Sequence, residues 1–128
     1  MKSALFASLA SVCTAGLWPS IKFGGTYSDP NHPDCPRTIT PTGPVFAEVR
    51  GDDPITGTTC SATNEEAWGP LSASIDGDQI VVDFSPKGGP SDLTGSYAFD
   101  KLANCHGIAW DDGNFWPKTN LAYDTLLN

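Results

Sequence analysis

Basic residues are scarce in this sequence. Seven Lys and Arg stand against fifteen Asp and Glu, for a net charge of −8. No basic stripe occurs, and so acidic a chain repels phosphate backbones, which excludes nucleic-acid binding. Histidines number two, and neither Gly-x-Ser-x-Gly nor His-Glu-x-x-His is present, so the common hydrolase and metalloprotease centres have no signature here. No Cys-x-x-Cys pair exists, which removes zinc knuckles and thioredoxin-type redox sites. There is no Asn-x-Ser/Thr sequon either, so N-glycosylation is not expected. Charged residues make up only 17%, and the Ala/Glu/Lys/Leu richness of a coiled coil or helix bundle is missing. In its place are 13 glycines and 11 prolines, the punctuation of many turns. Four Trp, three Tyr and six Phe provide for a core and set the chain apart from disordered sequences. With 128 residues it has room for one domain.

The amino terminus carries its own pattern. Lys2 precedes a weakly apolar run from Ser3 to Val12, and Cys13 and Ala15 place small residues at −3 and −1 of a cut after Ala15. Charge, apolar stretch and small-residue site together form the layout of an export signal. Two other readings stay open: a retained anchor helix, or an ordinary soluble segment. Ser3 to Trp18 would span about 24 Å as a helix, short for a lone membrane crossing. On this reading residues 1–22 are a hydrophobic leader or helix and residues 23–128 form a single β-domain.

Beyond Cys13 there are three thiols, Cys35, Cys60 and Cys105. They allow one bridge and one spare, and spacing does not choose among three pairings. Cys35 and Cys60 both fall in Pro/Gly-rich loops, so a Cys35–Cys60 bridge with Cys105 spare is the first expectation. A Cys60–Cys105 bridge is the second.

From Phe23 onward the pattern is all-β. Around Asp76-Gly77 the apolar residues alternate, and a two-residue turn there pairs Ala73 with Ile80 and Leu71 with Val82. Phe84 extends that face, which should be core, while Ser72, Ser74 and Gln79 point away. A second hairpin turns at Asp112-Gly113. Its register sets Trp110 opposite Phe115 with Ile108 on the core side, and turns Trp116 to the other face beside Ala109. Weaker strands cover 24–28, 37–40, 45–50 and 93–99, with a turn from Pro41 to Pro44; residues 120–127 allow two terminal helical turns. Short strands at even spacing predict a small antiparallel β-barrel or sandwich of six to eight strands. A barrel of this size is filled by its own side chains and leaves a shallow mouth.

The string Val82–Pro90 (VDFSPKGGP), the downstream Asp112–Trp116 (DGNFW) and the opening Tyr27–Pro33 (YSDPNHP) resemble small algal proteins that are exported or plastid-lumen β-domains. The resemblance spans roughly residues 24–118. It implies a thylakoid-lumen or extracellular location and makes docking on a larger membrane complex, such as a photosystem, an expectation. A looser likeness to lipocalin or avidin barrels rests on Gly25–Tyr27 and Gly95–Tyr97.

Each chemical site suggested by the residues competes with a plain structural role. Asp29, His32, Asp34 and Cys35 bring carboxylates, imidazole and thiol within seven residues, a metal-ligand set. Yet Asp-Pro and His-Pro are ordinary turn formers, and a bridge would consume Cys35. Ser85–Ser91 faintly follows a phosphate loop but lacks its residue order, and Pro90 blocks the helix that would cradle phosphate. The acidic turns at 51–53, 76–78 and 111–114 lack an EF-hand's alternating ligands. Cys105 and His106, adjacent on a strand, point to opposite faces. Paired carboxylates for glycoside cleavage need a deep cleft that a domain this small does not provide. No cofactor or metal is therefore expected, and no catalysis. Aromatics remain: Trp18, Phe23, Trp68 and Trp116 are the interface candidates, with Trp68 and Trp116 also fit to plug barrel ends. Two functions follow. One is a structural or interaction protein held on a membrane complex through Trp18–Phe23, membrane contact being confined to that amino-terminal segment. The other is a free exported module that binds a small ligand or glycan at an aromatic mouth.

Overall fold

Alternating apolar residues between Gly- and Pro-rich turns produce eight strands: β1 Gly25–Tyr27, β2 Arg37–Gly43, β3 Phe46–Asp53, β4 Glu66–Asp76, β5 Gln79–Val82, β6 Leu93–Asp100, β7 Cys105–Trp110 and β8 Phe115–Pro117. The computed structural model describes residues 19–101 and 105–119. Trp18 and the expected terminal turns at 120–127 lie outside them. Each strand pairs antiparallel with its sequence neighbour, giving one eight-stranded up-and-down sheet. Its edges nearly meet. Tyr27 bridges Lys118, Ser28 N–H donates to the Pro117 carbonyl at 3.0 Å, and Thr119 N–H donates to that of Thr26 at 2.7 Å. Near-closure occupies the backbone groups that an open sheet would expose. The architecture is thus all-β, as turn chemistry and alternation foretell, and of the two expected forms, barrel or sandwich, it is the nearly closed barrel. Among the described residues no helix is long and apolar enough to cross a membrane.

The β4–β5 hairpin buries the expected face, Leu71, Ala73, Ile80, Val82 and Phe84, and adds Ile75. Its turn sits one position later than Asp76-Gly77. Asp76 pairs with Gln79, so Gly77 and Asp78 are the turn residues, and Ala73 faces Val82 while Ile75 faces Ile80. Gly77 takes a φ of 61°, which places glycine first in the turn and spares aspartate the left-handed conformation. Moving the turn by one changes the pairing by two, so no side chain changes face. Val82 is fully buried, and Val82→Ala is expected to cost about 2 kcal/mol through lost burial and a residual cavity. A urea melt checks this, and a loss below about 0.5 kcal/mol would contradict the packing.

The β7–β8 hairpin corrects the expected register. Its loop has three residues, Asp111 to Gly113, closed by Gly113 N–H on the Trp110 carbonyl at 3.0 Å and Trp110 N–H on that of Asn114 at 2.8 Å. Gly113 has a φ of 94°, the left-handed residue that a three-residue loop places last. One extra loop residue slips the register by one, and that exchanges faces. Ile108 pairs with Trp116 and Ala109 with Phe115, so Trp116 is core beside Trp110, and Phe115 covers Gly107 from outside. The expected turn at Pro41–Pro44 is shorter, because β2 runs on to Gly43.

The two barrel ends differ. Pro19–Phe23 forms a short 3-10 helix across one of them. Fully buried Phe23 meets Tyr97 edge-on at 5.6 Å, Ser20 Oγ donates to the Gly43 carbonyl at 2.7 Å, and Lys118 Nζ donates to that of Lys22 at 2.9 Å. Lys22 also pairs with Asp78. Residues 20–22, assigned to the leader by sequence, therefore hold directly to the barrel. The opposite end carries the longer connections, 28–36, 54–65 and 83–92, with the turn at 111–114. Cys35–Cys60, Cα atoms 5.2 Å apart, joins the first of these loops to the second, and Cys105 is unbridged.

Candidate functional site at the barrel mouth

Arg37 opens β2, and inward alternation with Ile39 sends its long side chain into the barrel. It is only 2% exposed. Its guanidinium lies 5.3 Å from the Trp68 ring and 5.6 Å from that of Trp116, between two electron-rich faces. Nη1 donates to the carbonyls of Cys35 and Asp52. Nη2 reaches Asp29 at 3.2 Å and Asp53 at 2.9 Å. A guanidinium fork can hold two carboxylates and two carbonyls at once, which an ammonium in the same place cannot. Arg37 thereby ties the β1–β2 loop to the end of β3.

The two carboxylates reach further. Asp53 Oδ2 accepts from Lys87 Nζ at 2.7 Å, and that ammonium lies 4.9 Å from the other cation's neighbour, the Trp68 ring. Asp29 Oδ1 accepts from Asn31 N–H and from Asn114 Nδ2, both at 2.9 Å, and its Oδ2 faces His32 Nδ1 at 3.0 Å. With a proton on Nδ1 the His32 ring donates to Asp29, and Nε2 is left as its other hydrogen-bonding atom. Three of the four mouth connections and the end of β3 are thus linked by one polar network: 28–36 through Asp29, 83–92 through Lys87, 111–114 through Asn114, and β3 through Asp53.

Burial pushes both carboxyls up, and the opposing contacts outweigh it. Hydrogen bonds from Asn114, His32 and Asn31 with the Arg37 charge hold Asp29 below its ordinary 3.8. Hydrogen bonds from Lys87 and Arg37, with their charges, do the same for Asp53. A carboxyl with a lowered folded pKa stabilises the protein above its unfolded pKa and loses that contribution as pH falls through the folded value. Urea midpoints are therefore expected to hold down to about pH 4 and to drop steadily below it. Asp29→Asn should show a shallower acid slope, and an unchanged slope would remove Asp29 from the account.

Beneath this network lies a pocket of about 170 Å³ whose aromatic walls are Trp68, Phe84, Trp110 and Trp116. The rings meet edge to face, Trp110 with Trp116 at 4.8 Å and Phe84 with Trp110 at 5.7 Å. Asp29, His32, Arg37, Lys87, Asp112 and Asn114 supply its polar border. A wider hollow of about 540 Å³ adjoins it, with Trp68 and Lys87 lining both. Among the described residues, the buried indole N–H groups of Trp68 and Trp110 and the Arg37 Nε–H make no hydrogen bond.

The interface candidates are redistributed by this arrangement. Trp116 is buried in the pocket wall and Phe23 in the closed end, so neither offers an outward surface. The one-residue slip explains Trp116, and the 3-10 helix explains Phe23. Trp68 is half-buried at the mouth. Asp29 and His32, noted in the sequence as metal ligands, bond to each other, Asp29 bonds also to Arg37, and Cys35 is bridged. Among the described residues no three His, Cys, Asp or Glu side chains gather as a metal site. Burial and the Asp100 carboxylate push the Cys105 thiol up, away from a nucleophilic thiolate. The sequence pattern does not single out Arg37, assigns Trp110 to the core, and offers Lys87, Asp53 and Asn114 only within a phosphate-like loop and acidic turns. Its available clue was Arg37 itself, a charge on the inward side of an otherwise apolar alternation.

The fold and site define a class, a small up-and-down β-barrel with one plugged end and an aromatic, internally ion-paired mouth. Comparison with protein-family models, curated proteins and solved structures found no match.

Proposed function

We propose that this chain is a non-catalytic binding module that holds a small ligand at the barrel mouth. One observation carries the reading. Four aromatic side chains wall a concave pocket whose border is held in place by the Arg37 network. Fixed polar groups around an apolar wall are what a small-molecule site requires, and a scaffold that holds them in advance reduces the entropy lost on binding. Placement in an oxidising, exported compartment, the plastid lumen or the cell exterior, is supported by the Cys35–Cys60 bridge and by the resemblance to algal exported β-domains.

The test is intrinsic tryptophan fluorescence and melting temperature of the full chain against a mixed panel of methyl glycosides, phenol, acetate and phosphate. Saturable quenching with a rise in melting temperature is expected for one class. No response to any probe would remove the proposal.

A second reading, docking on a larger membrane complex, is favoured by the opposite end. Val45, Phe46 and Phe99 are exposed there at 40%, 57% and 50%, the first two next to Pro44, whose carbonyl accepts from the Ser20 N–H. Deleting residues 1–18 should leave the barrel folded and abolish co-fractionation with membranes. A truncated chain that still co-fractionates fully would count against docking through that segment.

A further inference from the structure

Resting on the mouth as a binding site, we infer that its ligand is an uncharged, polyhydroxylated ring, the pyranose end of a glycan or a free monosaccharide. Charge is the first argument. Both cations at the mouth are matched inside the protein: Arg37 to Asp29 and Asp53, Lys87 to Asp53. A phosphate or carboxylate entering the pocket meets no unpaired cation, and it approaches the Asp112 carboxylate on the border. A ligand cation fares no better, because Arg37 and Lys87 already lie against Trp68, and Arg37 against Trp116. Neutral ligands escape both penalties.

Shape is the second argument. About 170 Å³ is close to the cavity of roughly 150 Å³ that accepts one benzene, which limits the ligand at the pocket to about one six-membered ring. Phe84 and Trp110 are among the aromatic side chains that line it, and apolar aromatic surface suits the C–H groups of a sugar ring.

The border supplies the third. A purely apolar ring would leave it unused, whereas hydroxyls donate and accept together. His32 keeps Nε2 as a second hydrogen-bonding atom beyond its Asp29 contact. Asp112 accepts through Oδ1 from the Asn114 N–H and keeps Oδ2. Within the wall, Trp110 Nε1 and Arg37 Nε are buried donors with no partner among the described residues. Such groups are costly to leave unmatched, which favours a ligand rich in acceptor oxygens over an apolar ring.

The experiment is isothermal titration of the full chain with methyl α-glucopyranoside, methyl α-mannopyranoside, methyl β-galactopyranoside and N-acetylglucosamine, beside phenol, choline, acetate and phosphate. At least one sugar should bind saturably, and phosphate and acetate should not. Trp110→Phe, which keeps a ring and removes the donor, should weaken that sugar about tenfold. His32→Ala on the border should weaken it several-fold even if Trp110→Phe fails to fold. Phe99→Ala at the closed end should change nothing. Binding of phenol, choline, acetate or phosphate without any sugar overturns the sugar assignment and leaves the mouth as a binding site. Sugar binding that ignores both mouth substitutions, or silence from every probe, overturns the assignment and the mouth together.

Discussion

Arg37→Leu is expected to lower the melting temperature by roughly 10–20 °C, the largest effect of any side chain at the mouth. Arg37 is almost wholly buried, and Asp29, 5% exposed, depends on it for its countercharge. Removing one partner of a buried ion pair costs about 3–5 kcal/mol, because the other charge stays desolvated. For a domain of this size that corresponds to roughly 3–5 °C per kcal/mol. The same substitution frees the carbonyls of Cys35 and Asp52 and removes the cation between Trp68 and Trp116. Arg37→Lys should recover only part of the loss, since an ammonium cannot span Asp29 and Asp53 as the fork does. Pairing Arg37→Leu with Asp29→Asn should recover more, by removing the stranded charge. Circular-dichroism melts decide the point. A midpoint change below about 3 °C for Arg37→Leu would mean that the mouth does not rest on this residue.

Loss of the Cys35–Cys60 bridge ranks second. The cysteines are 25 residues apart, and the chain-entropy relation gives a stabilisation of about 3.5 kcal/mol for a loop of that length. Replacing both cysteines by alanine should lower the urea midpoint accordingly. The bridge also joins the loop that carries Asp29 and His32 to the 54–65 connection, so its removal should loosen the mouth more than the closed end. Hydrogen exchange can read this locally, with amides of 29–36 losing protection while those of β4 and β5 change only with global stability. A cost under about 1 kcal/mol, or protection lost evenly along the chain, would contradict this role.

Much of the fold is legible in the sequence because its instructions are local. Alternation at 71–84 identifies the buried face. A turn misplaced by one position leaves that face intact because Gly77 and Asp78 shift the pairing by an even number. At Trp110–Trp116 the same logic fails on a single residue. Asp-Gly chemistry admits both a two-residue and a three-residue loop, and the longer loop carries Trp116 inward. Nothing local distinguishes the two.

The mouth is less legible because its partners are far apart along the chain. Asn114 reaches Asp29 across 85 residues, and Lys87 reaches Asp53 across 34. Barrel closure creates these pairs, and no spacing rule encodes them. The cluster Asp29, His32 and Cys35 was visible as chemistry-bearing residues, but its use depended on where Arg37 pointed. An inward arginine in an apolar alternation is the one signal that announces a polar interior.

Whether ligand meets the chain at the Arg37 mouth can be read residue by residue in a ¹H–¹⁵N spectrum of the full chain, titrated with the mixed panel of methyl glycosides, phenol, acetate and phosphate. The indole signals of Trp68 and Trp110 and the amides of His32, Gly89 and Asn114 are expected to shift together and saturate, while Phe99 and His106 stay in place. Shifts confined to Phe99, His106 and Lys22 at the closed end, or no shifts at all, would contradict binding at the mouth.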